Sequence, residues 1–427
     1  MKSTSFLEQL QKCCAEAEIW WDASPTRLLD WTRELSPSVV TEDDRRFRES
    51  QVRRFFDSED VSRSLLRGVT TNPRLIAECI YRERDRWQSE AARLINEAPY
   101  ADAETLYWRL YKRVIVSGAR SLESMWRESD GRYGWVCAQV DPRDTLDADR
   151  MYRQGRELAA LAPNIMVKVP GSKAGYDVIE QLVAQGISIN NTFSYTVPQL
   201  TECLRAIESG LRRAGQQGVN VSRWRSVITF MIGRFGAQGD LVDQAKARDI
   251  NLSTEDIRWA EIAMFKRFHE TLARSGVPAK LLLSSMKYDA ARQADIASCW
   301  HIEKTAGSPT VYTFTPDLLN ALLDAGDQIG PLSSLAHAEP VPGDVLSRLM
   351  LLPYFANAYS ADGLEPAEFH HQGTFIATAA EACGSVRRMI DFVSHAFQMR
   401  TQMPQPGEAF MHAVRHVSTD HASGALV

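Results

Sequence analysis

The chain has 427 residues, of which 44% are hydrophobic and 24% charged, enough to bury a large core as one α/β domain or two smaller ones. A net charge of −5 leaves no overall basic field for nucleic acid, and no apolar run approaches the roughly 20 residues that cross a bilayer. Seven scattered cysteines without a CxxC pair argue for reduced thiols rather than a disulfide framework or a zinc site, and with no signal-peptide-like start the expected location is cytoplasmic.

In chain order, short apolar runs alternate with long amphipathic stretches, the pattern of βα units around a parallel sheet. The first expected strand is Glu18 to Asp22, which ends in an acid. An arginine-rich segment follows, in which Arg45, Arg46, Arg48, Arg53 and Arg54 interleave with Glu42, Asp43, Asp44 and Glu49 as on a solvated helix face. Arg67 to Pro73 forms the second unit, with Asn72 as an N-cap and Pro73 opening a helix. A long helical region from about Ala77 to Arg127 leads to a turn at Asp130-Gly131-Arg132 and a third strand, Trp135 to Val140.

The fourth strand, Ile165-Met166-Val167-Lys168-Val169-Pro170, is a continuous apolar run broken by one lysine. Such a run reads as a fully buried strand. A buried ammonium costs several kcal/mol, so Lys168 is a deprotonated, reactive amine, a cation held by a carboxylate, or a strand-end lysine reaching out to solvent. Gly171 to Gly175 lacks the spacing of a nucleotide phosphate loop and reads as the turn into the helix Gly175 to Gln185. The remaining strands are Gly186 to Thr192, Ser226 to Arg234, Lys280 to Lys287 and Thr310 to Phe314.

Eight strands, each followed by a helical stretch, predict a (β/α)8 TIM barrel with additional C-terminal helices. Asp22, Asn72, Gln139, Lys168, Thr192, Thr229, Arg234, Ser285 and Lys287 fall at or near strand carboxyl ends, the rim on which such barrels build active sites. That convergence favours the reactive-amine reading of Lys168.

The blocks Gly68 to Ile76, Asp130 to Arg143, Ile165 to Pro170, Gly186 to Thr192, Ser226 to Phe230, Leu283 to Ser285 and Thr310 to Thr313 resemble, in order and spacing, those of the transaldolase family across roughly residues 15 to 330. The resemblance implies a Schiff-base mechanism on phosphorylated sugars, without metal or organic cofactor. It implies that Lys168 attacks a ketose-phosphate carbonyl, that Asp22 handles the proton of the C4 hydroxyl, and that Thr192 holds a relay water. Asn72, Asn190 and Thr229 would contact the triose, and Arg234, Ser285 and Lys287 the phosphate. The expected partners are sugar phosphates rather than nucleic acid or membrane, with the chain a monomer or homodimer.

Thr229 stands where the family has a serine and Lys287 where many members have an arginine, but the departure that matters most is on the third strand. Gln139 stands where transaldolases carry a relay glutamate, and an amide neither accepts nor delivers a proton at neutral pH. The fructose 6-phosphate aldolase branch also has glutamine there, but Met231 stands where that branch carries a compensating tyrosine; Tyr195 and Tyr288 are alternative donors. Three functions follow: dihydroxyacetone transfer between sugar phosphates, aldol chemistry with free dihydroxyacetone, or non-catalytic sugar-phosphate binding.

The barrel is expected over residues 1–335 and a helical extension packed on it over 336–427. In that extension Gly343 to Tyr359 and Pro366 to Gln402 read as helical, with a turn at Gly363, a break at Pro404 to Gly407 and a mobile tail from His416. His412, His416 and His421 read as a helix face rather than a zinc site, since no HExxH context accompanies them.

Overall fold

A computed structural model describes residues 6–34, 41–57, 60, 63–288, 299–325 and 331–402. The strands are β1 (Glu18–Asp22), β2 (Leu66–Thr70), β3 (Trp135–Gln139), β4 (Ile165–Pro170), β5 (Ile189–Ser194), β6 (Ser226–Met231), β7 (Ala279–Ser284) and β8 (Val311–Phe314). All pairings are parallel and the order β1 to β8 closes on itself, which is the TIM barrel expected from the alternating pattern.

Side chains two apart on a strand share a face, and this places the chemistry. A buried cluster of Trp20, Trp126, Trp135, Cys137, Met166, Val227, Leu282 and Val311 is distinct from the main core around it. Of these, Trp20, Cys137, Met166, Val227, Leu282 and Val311 are strand residues whose i+2 neighbours are Asp22, Gln139, Lys168, Thr229, Ser284 and Thr313. The barrel is therefore plugged by an apolar layer, and a polar layer lies on top of it toward the carboxyl ends. Gly68 makes room for the plug: a Cβ there would lie 2.5 Å from the Trp20 ring.

Several boundaries differ from the sequence reading. The fifth strand begins at Ile189, because Gly186 takes a left-handed turn (φ 73°) that delays it. The sixth ends at Met231, and Arg234 lies in the first turn of the helix Ile232–Gln238 rather than on a strand. The seventh ends at Ser284, so Lys287 lies in the following loop. The region from Ala77 to Arg127 comprises three helices, Pro73–Arg82, Arg84–Glu97 and Ala103–Glu128. Arg45, Arg46, Arg53 and Arg54 are exposed as expected, but Arg48 is buried and bonds Asp324 and Asn320 at 2.6 Å each.

Beyond β8 the chain forms helices Gly343–Leu349 and Pro353–Tyr359, a 3-10 turn Pro366–His371 and a long helix Gly373–Gln402. The long helix packs along Pro73–Arg82, Arg84–Glu97 and Ala103–Glu128 and meets β5 and Ile232–Gln238, so it crosses from the β2 side of the barrel mouth to the β6 side. No helix among the described residues is long and apolar enough to cross a membrane. The break at Pro404 to Gly407, the tail and the three histidines lie outside the described residues.

Candidate active site

Lys168 stands at the centre of the polar layer. Register pairing sets it against Gln139 on β3 and Asn190 on β5, and Asp22 on β1 pairs with Thr70 on β2. The Lys168 side chain is buried, with 5% of the residue exposed, and its Nζ donates to Thr70 Oγ1 at 3.3 Å. Snorkelling to solvent is thereby excluded.

Burial drives the Lys168 pKa below the ordinary lysine value; Cys137 and Asp22 oppose that shift, and Arg234 adds to it. Burial likewise raises the Asp22 carboxyl, against the pull of Lys168, Arg74 and Arg234 and a 3.3 Å hydrogen bond from Thr313 Oγ1. A lowered lysine pKa makes more of the free amine available at neutral pH, and a raised carboxyl pKa makes the ionised carboxylate a stronger base.

Asn190 and Thr229 form a fixed pair. Thr229 Oγ1 donates to Asn190 Oδ1 at 2.7 Å, and Asn190 Nδ2 donates to Cys137 Sγ at 3.2 Å. Thr192, opposite Pro170 in the β4–β5 register, is buried two residues above Asn190. Phe193 follows in a left-handed conformation (φ 54°), unusual for an aromatic residue and a mark of strain at the strand end. Gln139 is buried, with no partner for its Oε1 among the described residues, while its backbone N–H and C=O are both held by Tyr111 Oη at 2.9 Å. Asn72 commits Oδ1 to the N-cap of the next helix, accepting from Leu75 N at 3.0 Å.

The three residues expected around a phosphate are brought together by one close contact. A Cβ at Gly233 would lie 2.3 Å from the Ser285 carbonyl oxygen and 3.2 Å from Lys287 Cε, so the helix start after β6 and the loop after β7 approach this closely only because residue 233 is glycine. Ser285 itself is left-handed (φ 58°). Lys287 is exposed, but its backbone N–H donates to His301 Nδ1 (3.1 Å), whose Nε2 faces the buried Glu261 at 2.7 Å. The Lys287 N–H leaves Nδ1 as acceptor, so Nε2 carries the proton toward Glu261.

A family model for Transaldolase/Fructose-6-phosphate aldolase matches residues 54–371. The chain belongs to this family. Transaldolases of Mycobacterium tuberculosis and Mycobacterium bovis are each 29% identical to it over 197 residues, 46% of this chain and 51% of theirs. A transaldolase of Mycobacterium leprae is 26% identical over 276 residues, 61% of this chain and 71% of its own. The chain thus spans about half the length of the first two relatives.

Within this family member, four features of the mouth escape sequence reading. Thr70 and Thr313 contact the two titrating groups, and their signal was only a hydroxyl at a strand end. Arg74 stands in a block the sequence reading noticed, yet it carried no assigned role. Its Nε lies 3.2 Å from Glu381 Oε1, and Arg234 Nη1 lies 2.7 Å from Glu381 Oε2. Glu381, on the C-terminal helix, has no local signal at all. A cavity of about 270 Å3 opens beside Asp22, lined among others by Arg27, Arg74, Arg82, Thr315 and Asp317, and leads outward from the polar layer. Tyr195 reaches the mouth, its hydroxyl 2.6 Å from Thr378 Oγ1 and 3.7 Å from Met231 Sδ.

Proposed function

We propose that this protein transfers a three-carbon dihydroxyacetone unit between sugar phosphates through a Schiff base on Lys168. The observation that carries the reading is the Lys168 amine, buried on the barrel axis with its pKa lowered and Asp22 beside it. A lysine plugged into an apolar barrel for stability alone would be a net cost.

In this mechanism the free amine adds to the C2 carbonyl of a ketose phosphate and water leaves, giving an iminium. Asp22 takes the C4 hydroxyl proton as the C3–C4 bond breaks; the bonding pair moves onto the iminium as an enamine, and an aldose phosphate departs. The enamine then attacks an acceptor aldehyde, Asp22 returns the proton, and water releases the new ketose. Thr70 orients the amine, the Thr229–Asn190 pair binds the triose hydroxyls, Asn72 offers its amide N–H, and Thr192 holds the relay water. Arg234, Ser285 and Lys287 take the phosphate, with Lys287 contributing charge without the two-pronged geometry of arginine.

A second reading is favoured by Gln139. Its Oε1, without a partner among the described residues, is left to accept a hydrogen bond, but the amide moves no proton. An enzyme without that relay suits aldol addition or cleavage with free dihydroxyacetone.

Borohydride trapping with fructose 6-phosphate, read by intact mass, tests the Schiff base. A triose-sized adduct on the wild type that disappears in Lys168→Met is expected; no adduct, or one surviving that substitution, overturns the assignment. A coupled assay with and without erythrose 4-phosphate then separates transfer, which needs the acceptor, from aldolase activity, which does not.

A further inference from the structure

The C-terminal helix Gly373–Gln402 presents one face to the barrel at helical spacing. Thr374 Oγ1 meets Tyr354 Oη at 2.6 Å, Phe375 packs edge-on to Phe193 with ring centroids 5.5 Å apart, and Thr378 bonds Tyr195. One turn further along the same face comes Glu381. Its carboxylate joins Arg74, on the helix after β2, to Arg234, on the helix after β6, two elements from opposite sides of the mouth. Among the described residues Arg234 is otherwise met by weaker neutral contacts, Gln238 Oε1 at 3.3 Å and Thr378 Oγ1 at 3.4 Å, while Arg74 also pairs with Glu78 at 2.6 Å.

Two guanidiniums converging on one carboxylate form an anion site that already holds an anion. We propose that Glu381 is an internal occupant of the substrate's anion site, exchanged for the phosphate of the sugar when substrate binds. This rests on the proposed reading that the substrate is a phosphorylated sugar. A phosphate monoester brings more charge than a carboxylate and three acceptor oxygens, so it outcompetes Glu381 for Arg234 when Ser285 and Lys287 bind alongside. An unphosphorylated sugar has no group that displaces the carboxylate. Glu381 thereby sets a threshold that favours phosphorylated substrates, and Arg74, with Glu78 at hand, keeps a partner after the exchange. The residue is a specificity determinant acting through the two arginines it pairs with.

The test is calorimetric titration of inorganic phosphate, fructose 6-phosphate and fructose into wild type and Glu381→Gln. Removing the internal competitor should tighten phosphate and fructose 6-phosphate by at least about fivefold and leave fructose unchanged. Unchanged or weaker phosphate binding in a variant with wild-type circular dichroism overturns the proposal. Should Glu381→Gln fold poorly, amide exchange on the wild type decides: phosphate should accelerate exchange around residues 378–388, and saturating phosphate without that change overturns it. The two readings fail separately. Loss of the Schiff-base assignment shows as no Lys168 adduct while phosphate titration still responds to Glu381, and loss of the exchange mechanism shows as an unresponsive titration with the adduct intact.

Discussion

Restoring a carboxylate on the third strand is the most informative perturbation of the site. Gln139 and Lys168 are direct register partners on neighbouring strands, and such strands lie about 4.8 Å apart. In Gln139→Glu a carboxylate would stand about 5 Å from the amine, and at an effective dielectric of about 20 their attraction is about 3 kcal/mol. At about 1.4 kcal/mol per tenfold, that holds the proton on Lys168 roughly a hundredfold more tightly. Where the wild-type amine is half free, the variant amine would be only about 1% free by the same relation. The rise of the borohydride-trapping rate with pH should therefore move to markedly higher pH. Turnover in the coupled assay responds differently, because a positioned carboxylate also supplies acid–base catalysis worth about 10² to 10⁴-fold. The position of the pH limb, rather than its height, is the diagnostic quantity. A trapping profile that stays where it is in Gln139→Glu would refute the juxtaposition of these side chains and the electrostatic account of the Lys168 amine.

Three further perturbations probe the frame of the site. Thr229→Val removes the donor to the buried Asn190 Oδ1 (2.7 Å) and should cost about 1–3 kcal/mol of stability while raising KM, seen by denaturant titration and steady-state kinetics; unchanged KM would detach the pair from substrate. At the amino-terminal end of the barrel Glu18 is buried, which pushes its pKa up, yet Arg225 (2.5 Å) and Lys280 (2.8 Å) outweigh burial and hold it below the ordinary value of 4.5. Its stabilisation is therefore present above pH 4.5 and lost as pH falls through the lower folded value. Arg225→Met should cost about 3–5 kcal/mol at neutral pH, and the gap from wild type in thermal melts should narrow on acidification. Gly68→Ala forces a methyl to within 2.5 Å of the Trp20 ring and should destabilise by about 1–3 kcal/mol, with a lowered Tm; a neutral result would mean that the plug repacks freely.

The strands of this barrel were legible because parallel strands covered on both faces are continuous apolar runs, and the chemistry was legible where such a run was broken. Lys168 in Ile165–Pro170 needed no partner to be conspicuous, and β1 and β4 have the limits read from sequence. The Asn72 cap was local as well: it accepts from Leu75 N at 3.0 Å, because an N-cap is satisfied within three residues. Strand ends at β5, β6 and β7 were misjudged by two or three residues, since the positive φ of Gly186 and Ser285 and the helix starting at Ile232 are decided by what packs there.

Sequence alone determined the fold class and singled out Lys168 as a lysine inside a buried strand, both carried by alternation and by short segments at strand ends. Only the tertiary structure decided which groups share a space. Thr70 bonding the amine and Thr313 on Asp22 join residues 98 and 291 positions apart, and Gly233 lets a helix start and a loop meet; all are invisible to local pattern. Glu381 is the extreme case: on its own helix it is an ordinary surface acid, and it becomes part of the mouth because that helix crosses the barrel and aims it between Arg74 and Arg234. Electrostatic meaning depends on distance in space, and chain order does not report it.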